Sequence, residues 1–291
     1  MIKHLIVART RDELRSARDE LTGSIGVVMT MGVLHEGHAE LIRQAAQRAD
    51  HVVVTIFLNP LQFAQGEDLS RYPCTLDSDV EICARGGVSL VFAPTSDVVY
   101  PDGEPGVRIS AGKLSSVLEG ASRPGHFDGV LTIVAKMLHL IRPDLAFFGQ
   151  KDAQQLLLIR RMVRDLDFPV EIVAVPTVRE GDGLAFSSRN TYLSQADCEV
   201  AKCLSAALRA GATEASVGPS AVRRAARDVL IKEPLVHVDY LLLVHPITLE
   251  QVSECYRGSA LFAVAAKVGT TRLIDNLPLQ IGSVARSALA E

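Results

Sequence analysis

The chain has no apolar run near the ~20 residues a membrane span needs. It has no positive excess either. Its 30 Lys and Arg against 34 Asp and Glu leave a formal charge of −4, where a nucleic-acid scaffold is usually basic. Its 5 cysteines are odd in number and none pairs as CxxC, so they read as reduced thiols of a cytoplasmic protein. Cys83, Cys198 and Cys203 fall in helical patterns and read as packing residues. HExxH spacing, low-complexity tracts and internal repeats are all missing. The N-terminal stretch Met1–Arg9 has too short an apolar part, and is charged too soon, for a signal peptide. What remains is ample apolar material. Hydrophobic residues make up 48% of the 291, enough for a sizeable core in one large or two ordinary domains.

That material is arranged in runs. Val52–Phe57, Ser89–Phe92, Leu145–Phe148 and Val170–Val175 are continuous and β-rich, as suits parallel strands buried on both faces. Helical patterns lie between them: Phe127–Arg142, stopped by Pro143, and Gln154–Leu166. Strands alternating with helices predict an α/β, doubly wound parallel sheet that binds ligands at the carboxyl ends of its strands. Beyond about Pro176 the texture changes. A polar segment, Arg179–Asn190, leads into Ala-rich helices over Gln195–Lys232. Val236–Val244, Ala260–Lys267 and Thr271–Asn276 then read as strands of a small α+β unit. The expected domains are therefore residues 1–177 and 178–291, with a small-residue tail, Gly282–Glu291, expected to be mobile.

His35-Glu36-Gly37-His38 is the most informative stretch. It follows Val27-Val28-Met29-Thr30-Met31-Gly32 and opens a helix at Ala39–Ala46. Two imidazoles at i, i+3 share one helix face. A helix N-terminus offers unpaired N–H groups and a favourable dipole to an anion, and Gly37 removes a side chain there. Imidazole donors beside such a hole suit stabilising charge on a nucleotide triphosphate as pyrophosphate leaves. A surface pair of histidines is the bland alternative. Zinc fits poorly, because no Cys or Asp lies close by in sequence to complete a ligand set.

Three further clusters carry chemistry. Gln62, in Asn59-Pro60-Leu61-Gln62-Phe63, offers an amide donor and acceptor, against a structural or solvent-facing alternative. Lys151 and Asp152, after Gly149-Gln150, suit phosphate and a ribose hydroxyl, against an ordinary helix cap by Asp152. Ser187-Ser188-Arg189-Asn190 offers hydroxyls and a guanidinium to phosphate, with Gly181 and Gly183 expected to let that loop move. Asp77 and Asp79 are conceivable magnesium ligands, but two exposed carboxylates near a helix start are more often caps.

Met31-Gly32-Val33-Leu34-His35-Glu36-Gly37-His38, Asn59–Phe63, Tyr72-Pro73, Pro124–Val130, Lys151–Gln155 and Asp182–Asn190 together resemble the pantothenate synthetases of the HxGH nucleotidyltransferase superfamily. The resemblance runs from about residue 25 to 277. It implies a Rossmann-like N-terminal domain binding ATP and pantoate, a smaller C-terminal lid domain and a homodimer. It also implies the reaction: pantoate and ATP give pantoyl adenylate and pyrophosphate, then β-alanine attacks to give pantothenate and AMP. Carried over, His35, His38 and Lys151 are catalytic. Met31, His38, Gly149, Lys151, Asp152, Val178, Ser187, Ser188 and Arg189 bind ATP. Met31, Gln62 and Gln155 bind pantoate, and Asp79 helps hold Mg2+. The chain departs from the family pattern at Met29, usually Pro, at Gln150, often acidic, at Ala153, often aromatic, and at Ser78, a second carboxylate in some members. The alternatives are a nucleotidyltransferase acting on a phosphorylated metabolite and a non-catalytic nucleotide-binding protein. An aminoacyl-tRNA synthetase is disfavoured by charge, length and the absence of a KMSKS-like loop.

Overall fold

A computed structural model describes residues 5–63, 69 and 72–282. Of the small-residue tail only Gly282 is among them, and Met1–His4 of the N-terminal stretch also lie outside them. The chain divides into two compact units, Met1–Val178 and Arg179–Glu291.

The first unit is a parallel sheet wrapped by helices. Its strands are β1 (Ile6–Ala8), β2 (Ile25–Thr30), β3 (His51–Ile56), β4 (Leu90–Phe92), β5 (Leu145–Gly149) and β6 (Glu171–Val175). They lie in the order β1-β4-β3-β2-β5-β6, every neighbouring pair parallel. The apolar runs work as expected. Alternate residues feed opposite faces: Val27 and Val53 join one core cluster, Val28 and Val54 the other. The helices of this unit are α1 (Arg11–Asp19), α2 (Glu36–Arg48), α3 (Leu76–Arg85), α4 (Ser96–Val99), α5 (Glu119–Ser122), α6 (His126–Ile141) and α7 (Ala153–Asp165). α6 ends on Arg142 in the left-handed region, immediately before Pro143. The leading segment Ile6–Asp19, which carries no strong apolar run, supplies both a strand and a helix, and α1 is closed by a capping box between Thr10 and Glu13.

The connections define a switch point. From β2 the chain moves through β3 to β4 on one side, then returns to place β5 and β6 on the other. β2 therefore sits between β3 and β5. The loops leaving these three neighbouring strands all emerge at one edge, where doubly wound sheets bind ligands.

The second unit is a three-stranded antiparallel sheet, β7 (Val236–Val244), β8 (Gly258–Val268) and β9 (Thr271–Ile281), with α8 (Gln195–Thr213) and α9 (Pro219–Leu230). Phe262, Val264 and Ala266 alternate inward from β8 and pack with Leu204 and Leu208 of α8. β9 continues five residues past the apolar stretch that marks it in sequence, because its pairing with β8 runs unbroken to Gly258↔Ile281. Backbone pairing, not side-chain pattern, sets that end.

Candidate active site

Three loops leave the carboxyl ends of the adjacent strands β2, β3 and β5 at the switch point. After β2 comes the histidine loop. His35 is the N-cap of α2, and its Nδ1 accepts the Gly37 N–H at 3.1 Å. Nδ1 of His38 accepts the His35 N–H at 3.3 Å. The two rings thus form a capping box in place of the usual hydroxyl and carboxylate, with centroids 4.1 Å apart. Each Nδ1 is an acceptor, so each neutral ring carries its proton on Nε2. The neutral form is favoured strongly. Burial first, then the Lys151 charge, lowers His35 to about 4, although Asp152 pulls the other way. Burial, then His35, then Lys151 lower His38 to about 3. The same interactions bring Lys151 and Asp152, from the loop after β5, beside the histidines from the loop after β2.

Asp152 stands at the N-cap position of α7 but makes no side-chain capping bond, so the ordinary-cap reading does not hold. Gly149 closes β5 at φ −74°, which any residue adopts, and a Cβ there meets nothing within 4 Å. Neither conformation nor packing calls for glycine at this position, which leaves backbone open to a ligand.

After β3 comes the Gln62 loop, and it is clamped. Gln62 is 8% exposed, which removes the solvent-facing alternative. Its carbonyl accepts His126 Nδ1–H at 2.8 Å and Arg123 Nη2–H at 3.2 Å, while Arg123 Nη1 meets His126 Nε2 at 3.2 Å. Asn59, 1% exposed, accepts Tyr100 O–H at 2.9 Å and donates to the Gly129 carbonyl at 3.2 Å. A Cβ on Gly129 would lie 2.0 Å from the Leu61 oxygen, so only glycine lets α6 approach the loop this closely. Arg123, His126 and Asn59 received no role from sequence. Arg123, Pro124, Gly125 and His126 sit about 60 residues from Gln62, and no local pattern announces that contact. Gln155 lies half-buried in the first turn of α7, one residue after Gln154, whose amide ties α7 to the carbonyls of Leu114 and Val117 at 2.8 and 2.9 Å. Met31 is half-buried one residue past β2, and Val178 ends the first unit three residues past β6.

Asp79 is not an exposed carboxylate. It is 1% exposed on α3, and both its oxygens accept bonds from Val33 N–H (3.0 Å), Leu34 N–H (2.8 Å) and the Thr75 hydroxyl (3.2 Å). Asp77 and Ser78 beside it are exposed. Among the described residues no three His, Cys, Asp or Glu side chains gather where they could hold a metal. The donor set here does not fit a protein-built magnesium cage.

In the second unit Ser187 caps a short 3-10 turn over Ser188–Tyr192, its hydroxyl accepting the Arg189 N–H at 3.3 Å. Ser188 and Arg189 are half-buried. The loop is anchored at its base. Arg179 holds Asp275 bidentately at 2.6 and 2.9 Å and donates to the Gly183 carbonyl at 3.2 Å, and Lys202 pairs with Asp182 at 2.9 Å. Gly183 has φ +102°, and a Cβ there would lie 2.7 Å from Arg209 Nη1 and 2.9 Å from Ser205 Oγ. The backbone sign by itself calls for glycine here.

Comparisons with known proteins decide what this arrangement belongs to. A family model described as pantoate-beta-alanine ligase matches residues 6–278. The chain belongs to the pantoate-beta-alanine ligase family. A pantothenate synthetase of Salinispora arenicola is 58% identical over 94% of this chain and 98% of its own. The crystal structure of a pantothenate synthetase from Thermus thermophilus superposes with a TM-score of 0.89 at 46% identity, covering 94% of this chain and 99% of that one. A pantoate-beta-alanine ligase of Francisella tularensis, solved in complex with β-γ ATP and β-alanine, superposes at 0.78 with 33% identity over 94% and 97% of the two chains. The chain is accordingly an ATP-dependent ligase joining pantoate to β-alanine, on the Rossmann-like sheet and small α+β unit expected of it.

Proposed function

We propose that the ligase reaction runs through pantoyl adenylate on the loops leaving β2, β3 and β5, with the roles that follow. The pantoate carboxylate is already ionised at neutral pH, so an oxygen of it attacks the α-phosphorus of ATP without a general base. The bond from that phosphorus to the bridging oxygen breaks, and pyrophosphate leaves with its charge. His35 and His38 serve as neutral Nε2–H donors to the phosphates, and Lys151 supplies the positive charge. The supporting observation is the imidazole capping box: two backbone N–H groups hold both rings in one tautomer, and burial beside Lys151 keeps them neutral at working pH.

Gln62 and Gln155 bind the pantoate hydroxyls and carboxylate, with Met31 against its methyl groups. Asp152, Gly149 and Val178 take the nucleoside end. Ser187, Ser188 and Arg189 bind phosphate, and the residue 178–291 region acts as a lid. The β-alanine amine then attacks the pantoyl carbonyl, the acyl–phosphate C–O bond breaks and AMP departs.

Magnesium enters this reading only as the counter-ion that ATP carries, with no carboxylate of this chain assigned to it. A homodimer, a cytoplasmic location and the absence of a nucleic-acid or membrane partner complete the proposal. The charge of −4 supports the exclusion of nucleic acid, and among the described residues no helix is long and apolar enough to cross a membrane. ATP–pyrophosphate exchange tests the pathway. Exchange should require pantoate but not β-alanine, while AMP and pantothenate should accumulate only with β-alanine. Exchange that needs β-alanine would mean that no free adenylate forms.

A further inference from the structure

The segment between β2 and α2 is bent against its own preferences. Gly32 has φ +89° and Val33 φ +54°. Left-handed backbone is costly at a β-branched residue, so something must hold Val33 there. Thr30 holds one end: its hydroxyl donates to the Thr55 carbonyl at 2.8 Å and accepts the Gly32 N–H at 3.2 Å. Asp79 holds the other. It binds the N–H groups of Val33 and Leu34, two consecutive donors immediately before His35. The Thr75 hydroxyl points at Asp79 and makes no cap for α3, although Thr75 is its N-cap residue. The buried charge is thus met by two N–H groups, one O–H and the first turn of α3. Gly32 completes the fit, since a Cβ there would stand 3.1 Å from Asp79 Oδ2.

We propose that Asp79 is a positioning residue for the histidine motif: its carboxylate fixes the Val33–Leu34 backbone and so presents His35 and His38 to the nucleotide, and it is not a metal ligand. The inference rests on the reading of His35 and His38 as phosphate donors. Asp79 touches no reacting atom. It sets the geometry from which the donors act, where a displacement of about 1 Å is enough to cost ~100-fold in rate.

The test uses the full chain with Asp79→Asn, Thr75→Val and Thr75→Ser. Asn keeps the shape but turns an N–H donor toward one of the two backbone N–H groups. Amide hydrogen exchange should quicken about tenfold or more at Val33 and Leu34 and stay unchanged in β5, since local opening reports the local tether. The kcat of pantoate-dependent pyrophosphate exchange should fall about tenfold or more at saturating ATP, with the magnesium concentration for half-maximal rate unchanged. Thr75→Val should move both readouts the same way to a smaller extent, and Thr75→Ser should restore them. A raised magnesium requirement with kcat recovered at high magnesium would make Asp79 a metal ligand and overturn the proposal. So would unchanged exchange at Val33 and Leu34. If Asp79→Asn fails to fold, the Thr75 pair decides by the same readouts. If the unaltered chain shows no pantoate-dependent exchange at all, the functional reading fails, while the amide measurement still judges the tether.

Discussion

The histidine loop of the first unit and the Ser187–Asn190 loop of the second are both proposed to bind phosphate, yet they are held in different ways. The histidine loop leaves a central strand of a parallel sheet and is fixed by buried backbone bonds to Asp79 and Thr30. The serine loop is stapled at its base by two ion pairs, Arg179–Asp275 and Lys202–Asp182, and a short bridge between Arg179 and Ala185. The first arrangement spends strain and buried polar groups on placing neutral donors. The second relies on charged side-chain contacts, the more buried of which joins residues 96 positions apart. Preorganised dipoles stabilise a developing charge without reorganising, which suits the loop assigned to the chemical step. A side-chain staple suits a loop whose task is binding.

The comparison can be tested from its strongest side downward. His38→Ala or Lys151→Ala should lower adenylate formation by at least ~100-fold, the scale for losing one transition-state donor. Near-normal pantoate-dependent exchange in either variant would take the chemical step away from this loop. Asp275→Asn should act on stability before it acts on chemistry. It leaves Arg179 partly buried without its carboxylate and should cost about 3 kcal/mol in denaturant unfolding. A loss below ~1 kcal/mol would show that the staple does not hold the second loop.

Gln62→Leu should raise the pantoate KM about tenfold or more with little change for ATP, because the amide proposed to pair with pantoate is lost. His126→Ala should move the same constant less. A selective ATP defect would place Gln62 elsewhere. A smaller effect is expected with pH. Unfolded imidazoles bind protons near 6.5, whereas His35 and His38 in the folded chain bind them only near 4 and 3. Between these values the unfolded chain holds more protons, so stability is complete above pH 6.5 and is lost as pH falls toward 3. The fall in melting temperature from pH 6.5 to 4 should be shallower in His38→Asn, and parallel slopes would contradict the buried-neutral assignment. The least effect should come from the thiols. Cys74 and Cys255 are exposed and belong to neither loop, while burial raises Cys83 to about 12 and Cys203 to about 11. Cys74→Ser and Cys255→Ser should keep turnover within a few-fold, since no thiolate takes part.

Much of this was legible in the sequence because it is local. The buried β-rich runs, the Pro143 stop and the histidine spacing are read from neighbours in the chain, and each became the element it indicated. Gly149 and Lys151 were placed at a strand end for the same reason. The polar residues that fix the loops were not legible. Asp79 looks like an exposed helix-start carboxylate until α3 is packed. Gln62 looks solvent-facing until α6 closes over it, through a glycine that nothing in the local pattern explains. By itself the sequence determined the buried strands from β3 onward, the long helices α6 and α7, the change of texture near residue 176 and the family, since these depend on residue type and spacing along the chain. Only the tertiary structure decided which carboxylate is buried and which carbonyl is clamped. Those outcomes depend on partners 45 to 64 residues away, which meet only when the first unit folds and packs α3 and α6 against the loops after β2 and β3.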